Sequence, residues 1–106
     1  MSLKASATLI SDLVSANHIL ANEGVFDGFG HVSVRHDQNP ERFLIARSMA
    51  PSMITEDDIV ECDFEGVVHD AQGRKSYLER FIHSAIFKVR PDVMAVIHSH
   101  SPAIIP

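Results

Sequence analysis

The sequence predicts an α/β domain of the α+β kind, in which flanking helices cover a central, mostly antiparallel sheet. Two long segments repeat their apolar side chains at helical spacing, and two pairs of short segments with strand character are each joined by a turn. A last apolar segment follows the second helical one. The predicted order is therefore helix, four short strands, helix and strand. A chain of 106 residues holds at most one domain, which we place at residues 1–106.

The first helix is predicted for residues 7–23 and the second for residues 76–90. Gly24 and Pro91 provide their stops. On the first helix, apolar side chains recur three or four positions apart at Leu9, Leu13, Ala16 and Leu20. On the second, the corresponding apolar side, which we expect to face the core, consists of Leu78, Ile82, Ile86 and Val89.

Five strands are predicted, at residues 31–36, 42–47, 59–64, 67–70 and 93–100. Hairpin turns join the first two and the next two, since Asn39-Pro40 and Glu65-Gly66 are turn signals. Alternation in the third strand points Cys62 inward, as a small apolar residue and not a reactive thiol. The fifth strand is apolar on both faces, which predicts an interior strand covered from both sides.

Composition and charge exclude several classes of partner. A net charge of −5 and a pI near 5.7 provide no basic surface for nucleic acid. No apolar run reaches the ~18–20 residues that cross a bilayer, so we expect no membrane partner. A single cysteine rules out an internal disulfide framework and fits a reducing, cytoplasmic setting.

Two histidines stand one residue apart where the fifth strand ends. On a strand, His98 and His100 would project from the same face, where two imidazoles can bind one divalent ion. The alternative is that they are hydrogen-bonded histidines at a strand end. For the short His-x-His pattern alone, this alternative is the commoner case.

Glu79 adds a carboxylate to this pair of imidazoles, a ligand set that suits zinc or a similar divalent metal. Two structural alternatives remain open. Ser76 and Glu79 fit a helix capping box, in which the glutamate bonds back to the serine amide. Glu79 and His83 could also form an exposed pair one turn apart on the second helix.

Arg47 and Ser48 follow the second strand, where a guanidinium could hold a substrate carboxylate through two parallel hydrogen bonds. A solvated arginine at a strand end is the structural alternative. His31 directly follows a glycine-rich turn, at which backbone amides can approach a ligand. A plain glycine turn without a ligand is the structural alternative. The other histidines are expected on the surface or in a loop: His18, His36 and His69.

Nearly the whole chain resembles the class II aldolase/adducin family. The most specific stretch reads LERFIHSAIFKVRPDVMAVIHSHSP, with Glu79 lying 19 residues before His98. This stretch resembles the family's acid, helix, Arg-Pro-Asp turn and His-x-His strand, and implies its three-layer architecture. Members of the family bind their metal with a third histidine that lies well downstream in the sequence. The resemblance therefore implies that this chain is the N-terminal part of a longer protein and that the domain is incomplete at its C-terminus.

The resemblance implies a divalent metal, usually Zn²⁺ and sometimes Mn²⁺, held by His98 and His100. It implies that Glu79 lies beside the metal as a ligand or as the general acid/base. The expected activity is that of a metal-dependent lyase that breaks a carbon–carbon bond through an enolate. The resemblance also implies a homotetramer.

Departures from the family's sugar-phosphate aldolases indicate the substrate class. Where this chain has Gly30-His31, those members have Gly-Asn. Where it has Arg47-Ser48, they have a small residue followed by Gly, and where it has Tyr77-Leu78, they have two serines. We therefore expect a small carboxylic acid, gripped at Arg47, with Tyr77 against a flat substrate and His31 donating to an oxyanion or acid group. The resemblance implies the branch of the family that decarboxylates hydroxylated aromatic or oxo-muconic acids. The alternatives are a sugar-phosphate aldolase or epimerase and a non-catalytic, adducin-like scaffold.

Overall fold

A computed structural model describes residues 5–22, 31–47, 51–69 and 80–98. Two helices and five strands occur in the predicted order: α1 Ala7–Asn22, β1 His31–Arg35, β2 Arg42–Ala46, β3 Ile59–Asp63, β4 Val68–His69, α2 Arg80–Val89 and β5 Ala95–His98. Two short 3₁₀ turns, Pro51–Met53 and Glu56–Asp58, connect β2 to β3. Within the described ranges, neither helix combines the length and apolar character that crossing a membrane would require.

The five strands form one antiparallel sheet in the order β4-β3-β2-β1-β5. The register places Ser33 on β1 opposite both Ile45 on β2 and Val96 on β5. Both predicted hairpins are confirmed by these pairings. The expectation that the last strand is interior is wrong for the described part of the chain, where β5 is an edge strand and Ile97 is 53% exposed.

The helices cover opposite faces of the sheet, which confirms the three-layer architecture. Alternation along β2 sends Leu44 to one face, where it packs with Leu13 of α1 and Val32. Phe43 lies on the other face, in a core with Phe87 of α2. Because both faces of β2 are buried from Phe43 to Ala46, that part of the strand is apolar without a break.

Cys62 lies in the core on the α2 face of the sheet. Its side chain is fully buried, and burial raises the pKa of its thiol to about 12. Because the thiolate is the reactive form, a thiol held this firmly protonated is inert. The prediction of a small apolar residue at this position is confirmed.

The inner face of α2 differs from the predicted one. The buried residues are His83, Ser84 and Phe87, whereas Ile82 is 47% and Val89 73% exposed. The buried polar groups are hydrogen-bonded: the Ser84 hydroxyl donates to the Arg80 carbonyl over 2.9 Å, and His83 contacts polar groups of β1. Buried polar groups are tolerated when they are paired, so the apolar stripe alone misplaced the helix face.

Arg35 fixes the C-terminal end of α2 to the sheet. Its guanidinium donates to the carbonyls of Phe87, Arg90 and Val93 over 2.9–3.1 Å. The same group lies 5.0 Å from the centre of the Phe87 ring. The arginine thus satisfies one carbonyl in the last turn of α2 and two carbonyls of the segment that follows the helix.

Gly66 allows the β3–β4 turn to pack against α2. It has a φ of 85°, and a Cβ built on it would collide with two ring carbons of Phe81. Gly66→Ala is therefore expected to lower the free energy of unfolding by about 2–4 kcal/mol, from backbone strain and the collision together. Urea unfolding of Gly66→Ala, Phe81→Ala and the double variant tests this. In the double variant, Phe81→Ala should relieve the collision with the new Cβ but not the backbone strain. Losses in the free energy of unfolding that simply add in the double variant would contradict the predicted collision.

Candidate functional site

Three residues of the predicted site lie level with one another at one end of the sheet. The register pairs His31 on β1 with His98 on β5. On the other side of β1, Ser33 pairs with Ile45, so the same antiparallel register continued by two residues brings His31 level with Arg47. We refer to His98, His31 and Arg47 as the cross-strand row. Residues far apart in the sequence are thus brought together on three neighbouring strands.

His31 is buried and belongs to a chain of polar side chains between β1 and α2. Its Nδ1 lies 2.6 Å from Nε2 of His83, and Nδ1 of His83 lies 2.5 Å from the Ser33 hydroxyl. All three side chains are at most 1% exposed. The possibility that His83 forms an exposed pair with Glu79 is therefore wrong, since His83 faces the sheet.

Ser33 and His83 are partners of His31 that the sequence patterns did not reveal. One signal for Ser33 was available, because positions 31 and 33 of an alternating strand lie on the same face. The position of His83 required knowledge of which side of α2 is buried, and the apolar pattern of that helix indicated another side.

Aromatic rings lie on one side of the buried imidazole of His83. The Phe43 ring stacks on it with centroids 6.4 Å apart, and Phe87 lies 5.1 Å from Phe43. Such surroundings exclude water and strengthen each hydrogen bond of the His31–His83–Ser33 chain.

Arg47 is oriented by an acidic partner. Its Nε lies 3.1 Å from Oδ1 of Asp58, and its backbone N–H donates to the Asp58 carbonyl over 2.7 Å. The Arg47 side chain is 42% exposed and that of Asp58 15%. The arginine is therefore a salt-bridged residue at the site end of the sheet and still accessible to a ligand from solvent.

Several predicted site residues lie outside the described part of the chain: Ser48, Tyr77, Glu79, His100 and the side chain of His98. Ser76, the proposed helix cap, lies outside it as well. Within the ranges that are described, no group of three or more His, Cys, Asp or Glu side chains is arranged to hold a metal ion. The proposed metal site therefore depends on residues beyond these ranges.

The remaining histidines have structural partners. His18 is exposed on α1, with Nε2 2.7 Å from the Ile54 carbonyl, and His69 pairs with Asp63 over 2.7 Å. His36 follows β1 in the hairpin loop, as predicted, but its side chain is buried. Its Nδ1 accepts hydrogen bonds from the amides of residues 38 and 39, both over 2.9 Å, so it stabilises the loop.

Comparison with known proteins shows relatives of more than one activity. The decarboxylase tropJ of Talaromyces stipitatus is 38% identical over 112 aligned positions, which cover 100% of this chain and 40% of that protein. The structure of L-fuculose 1-phosphate aldolase from Glaciozyma antarctica PI12 superposes with a TM-score of 0.81 at 35% identity, covering 95% of this chain and 45% of that one. Alpha-adducin of Rattus norvegicus is 28% identical over 71% of this chain and 11% of its own length.

The chain spans less than half the length of each of these relatives. The superposition with the L-fuculose 1-phosphate aldolase structure shows that the fold is shared over nearly the whole of this chain. Residues 11–106 match the family described as Class II Aldolase and Adducin N-terminal domain. With nearly all of its length accounted for by that match, the chain belongs to the class II aldolase and adducin family.

Proposed function

We propose that the full-length protein is a divalent-metal-dependent carbon–carbon lyase that decarboxylates a hydroxylated or oxo dicarboxylic acid through an enolate. It would act in the cytoplasm as a homotetramer. The observation that carries the proposal is the cross-strand row, in which a metal-ligand candidate, a buried imidazole and an accessible guanidinium lie level with one another on neighbouring strands. The similarity to tropJ, named as a decarboxylase, supports this choice of reaction.

The donor chemistry of the chain fits a divalent metal. Imidazole nitrogen suits Zn²⁺, with Mn²⁺ as the alternative, and His98 and His100 would supply two such donors from one strand face. Class II aldolases are typically metal-dependent, and in this proposal a further histidine comes from the remainder of the full-length protein. When bound, the ion would stabilise the enolate oxygen as a Lewis acid.

Arg47 would hold the carboxylate that stays on the substrate. A guanidinium presents parallel N–H groups that match a carboxylate, which Lys cannot imitate. The Asp58 contact at Nε restrains the side chain before substrate arrives, so less conformational entropy is lost on binding. Ser48, the next residue, would donate to the same group.

The remaining residues would stabilise and protonate the reacting part of the substrate. The bond between the substrate carbon and the departing carboxylate breaks, CO₂ leaves, and the electron pair stays on the substrate as the enolate. His31 would donate a hydrogen bond to the developing oxyanion or to the acid group. Glu79 would transfer a proton to the carbon, and Tyr77 would pack against the flat substrate.

A sugar-phosphate aldolase is the second candidate, and the similarity to L-fuculose 1-phosphate aldolase favours it. The two functions differ in the group that must be bound. Arg47 and the buried imidazole of His31 occupy two positions at which the family's sugar-phosphate aldolases carry small or amide side chains. Arg47 and His31 could bind either acid group. Tyr77-Leu78, however, replaces two serines of those aldolases and cannot donate the same hydrogen bonds to a phosphate, which favours a carboxylic acid over a phosphorylated ketose.

The test uses the purified full-length protein, measured for metal content and assayed on hydroxylated or oxo dicarboxylic acids and on phosphorylated ketoses. We expect bound divalent metal and turnover of the acids. His98→Ala should lose both metal and activity, whereas His69→Ala, at the opposite edge of the sheet, should keep both. Turnover of phosphorylated ketoses alone would establish the aldolase. A metal-free and inactive full-length protein would indicate an adducin-like scaffold.

A further inference from the structure

The contact between His31 and His83 requires a single hydrogen between two ring nitrogens. Nδ1 of His31 and Nε2 of His83 are 2.6 Å apart, so one nitrogen donates and the other accepts. If His83 donates, a neutral His31 carries its hydrogen on Nε2. If His31 donates, its Nε2 carries a lone pair instead. The direction of this one bond therefore decides whether the outer nitrogen of His31 is a donor or an acceptor.

Ser33 can set that direction from the other side of His83. Its hydroxyl lies 2.5 Å from Nδ1 of His83. A hydroxyl hydrogen rotates to suit its surroundings, so the serine can donate to this nitrogen. Nδ1 of His83 then accepts, its hydrogen resides on Nε2, and that N–H points to His31. A protonated His83 would donate from Nε2 as well, with the same consequence for His31.

We propose that Ser33 and His83 are positioning residues that keep His31 in the tautomer with hydrogen on Nε2. Under the proposed function, on which this inference rests, His31 then offers a donor to the oxygen that becomes negative when the carbon–carbon bond breaks. The opposite tautomer would offer a lone pair, which repels an oxyanion and instead suits a metal ion. Neither positioning residue need touch the substrate.

Burial makes the arrangement effective. The three side chains are at most 1% exposed, so water does not compete for the contacts. The Phe43 ring lies nearly parallel to the His83 ring, with centroids 6.4 Å apart. A change of tautomer at His31 therefore requires the serine hydroxyl to rotate away from His83.

The first test needs no activity. Nitrogen-15 NMR of histidine-labelled full-length protein reports which ring nitrogen of His31 carries hydrogen, with His31→Asn used for assignment. We expect hydrogen on Nε2. Hydrogen on Nδ1 in the unaltered protein would overturn the proposal, whether or not the protein proves to be a lyase.

A matched pair of substitutions isolates the hydroxyl. Thr and Val have nearly the same shape, suit a β-strand and add the same bulk at the buried position, but only Thr keeps the donor. Ser33→Thr should retain the tautomer of His31, whereas Ser33→Val should move a measurable fraction of the hydrogen to Nδ1. Ser33→Ala provides the same comparison without added bulk if both larger residues prevent folding. Equal tautomer populations with and without the hydroxyl would overturn the proposal.

Kinetics then connect the tautomer to the reaction. We expect Ser33→Val to reduce kcat by about 10- to 100-fold relative to Ser33→Thr, with KM and metal content unchanged, since outer partners of a site typically have effects of that size. Equal kcat values for a pair that differs in tautomer would overturn the catalytic part. A protein inactive on every carboxylic acid tested would count against the proposed function, while the NMR result would still decide the tautomer.

Discussion

Replacing Phe87 with alanine is expected to lower the free energy of unfolding by about 3–5 kcal/mol, the range for truncating a buried aromatic residue. Phe87 is 1% exposed, and its ring lies 5.1 Å from that of Phe43 and 6.4 Å from that of Phe64. The Arg35 guanidinium lies 5.0 Å from its centre. The substitution thus removes apolar burial, leaves a cavity between α2 and the sheet, and deletes a cation–π contact.

Phe81 provides a matched control because it is the same residue type on the same helix. It is 50% exposed and contacts the β3–β4 turn at Gly66. Phe81→Ala should therefore lower stability by about 1 kcal/mol or less. Urea unfolding of both full-length variants measures the difference. Equal losses, or a larger loss for Phe81, would contradict the burial of the two helix faces described above.

The contrast between these phenylalanines shows where sequence patterns succeed and fail. The periods of 2 and 3.6 residues located both helices and all five strands within a few residues, because local backbone geometry dictates those periods. The inner face of α2 could not be found in this way. His83 and Ser84 are buried because partners on β1 and within the helix satisfy them, and Ile82 and Val89 are left outside.

Individual residues of the candidate site could be predicted from the sequence, but their arrangement could not. His31, Arg47 and His98 stood out individually as residue types at the ends of strands. Their common level on the sheet depends on pairings between β1 and strands that lie both before and after α2. No local pattern encodes such a register. Asp58, which orients Arg47, was likewise hidden because it belongs to a turn between β2 and β3.

Glu79→Gln is expected to reduce turnover of the full-length protein by about 10²- to 10⁴-fold, the usual contribution of a general acid. Glutamine keeps the shape of the side chain but cannot transfer a proton to the substrate carbon. The same substitution preserves a capping box, in which Gln replaces Glu without loss. One isosteric change therefore separates the role of general acid from the role of helix cap. As an acid, Glu79 cannot be replaced by Gln, but as a cap it can.

Two further variants complete that comparison. Glu65→Gln changes an exposed glutamate whose partner is Lys88 at 2.8 Å, and turnover should be unaffected. Ser76→Ala should cost about 1 kcal/mol of stability if Ser76 caps the second helix, with turnover preserved. We expect Glu79→Gln to keep its urea midpoint and metal content while losing activity. Full activity in Glu79→Gln, together with loss of stability in Ser76→Ala, would make Glu79 a structural cap and remove it from the chemistry.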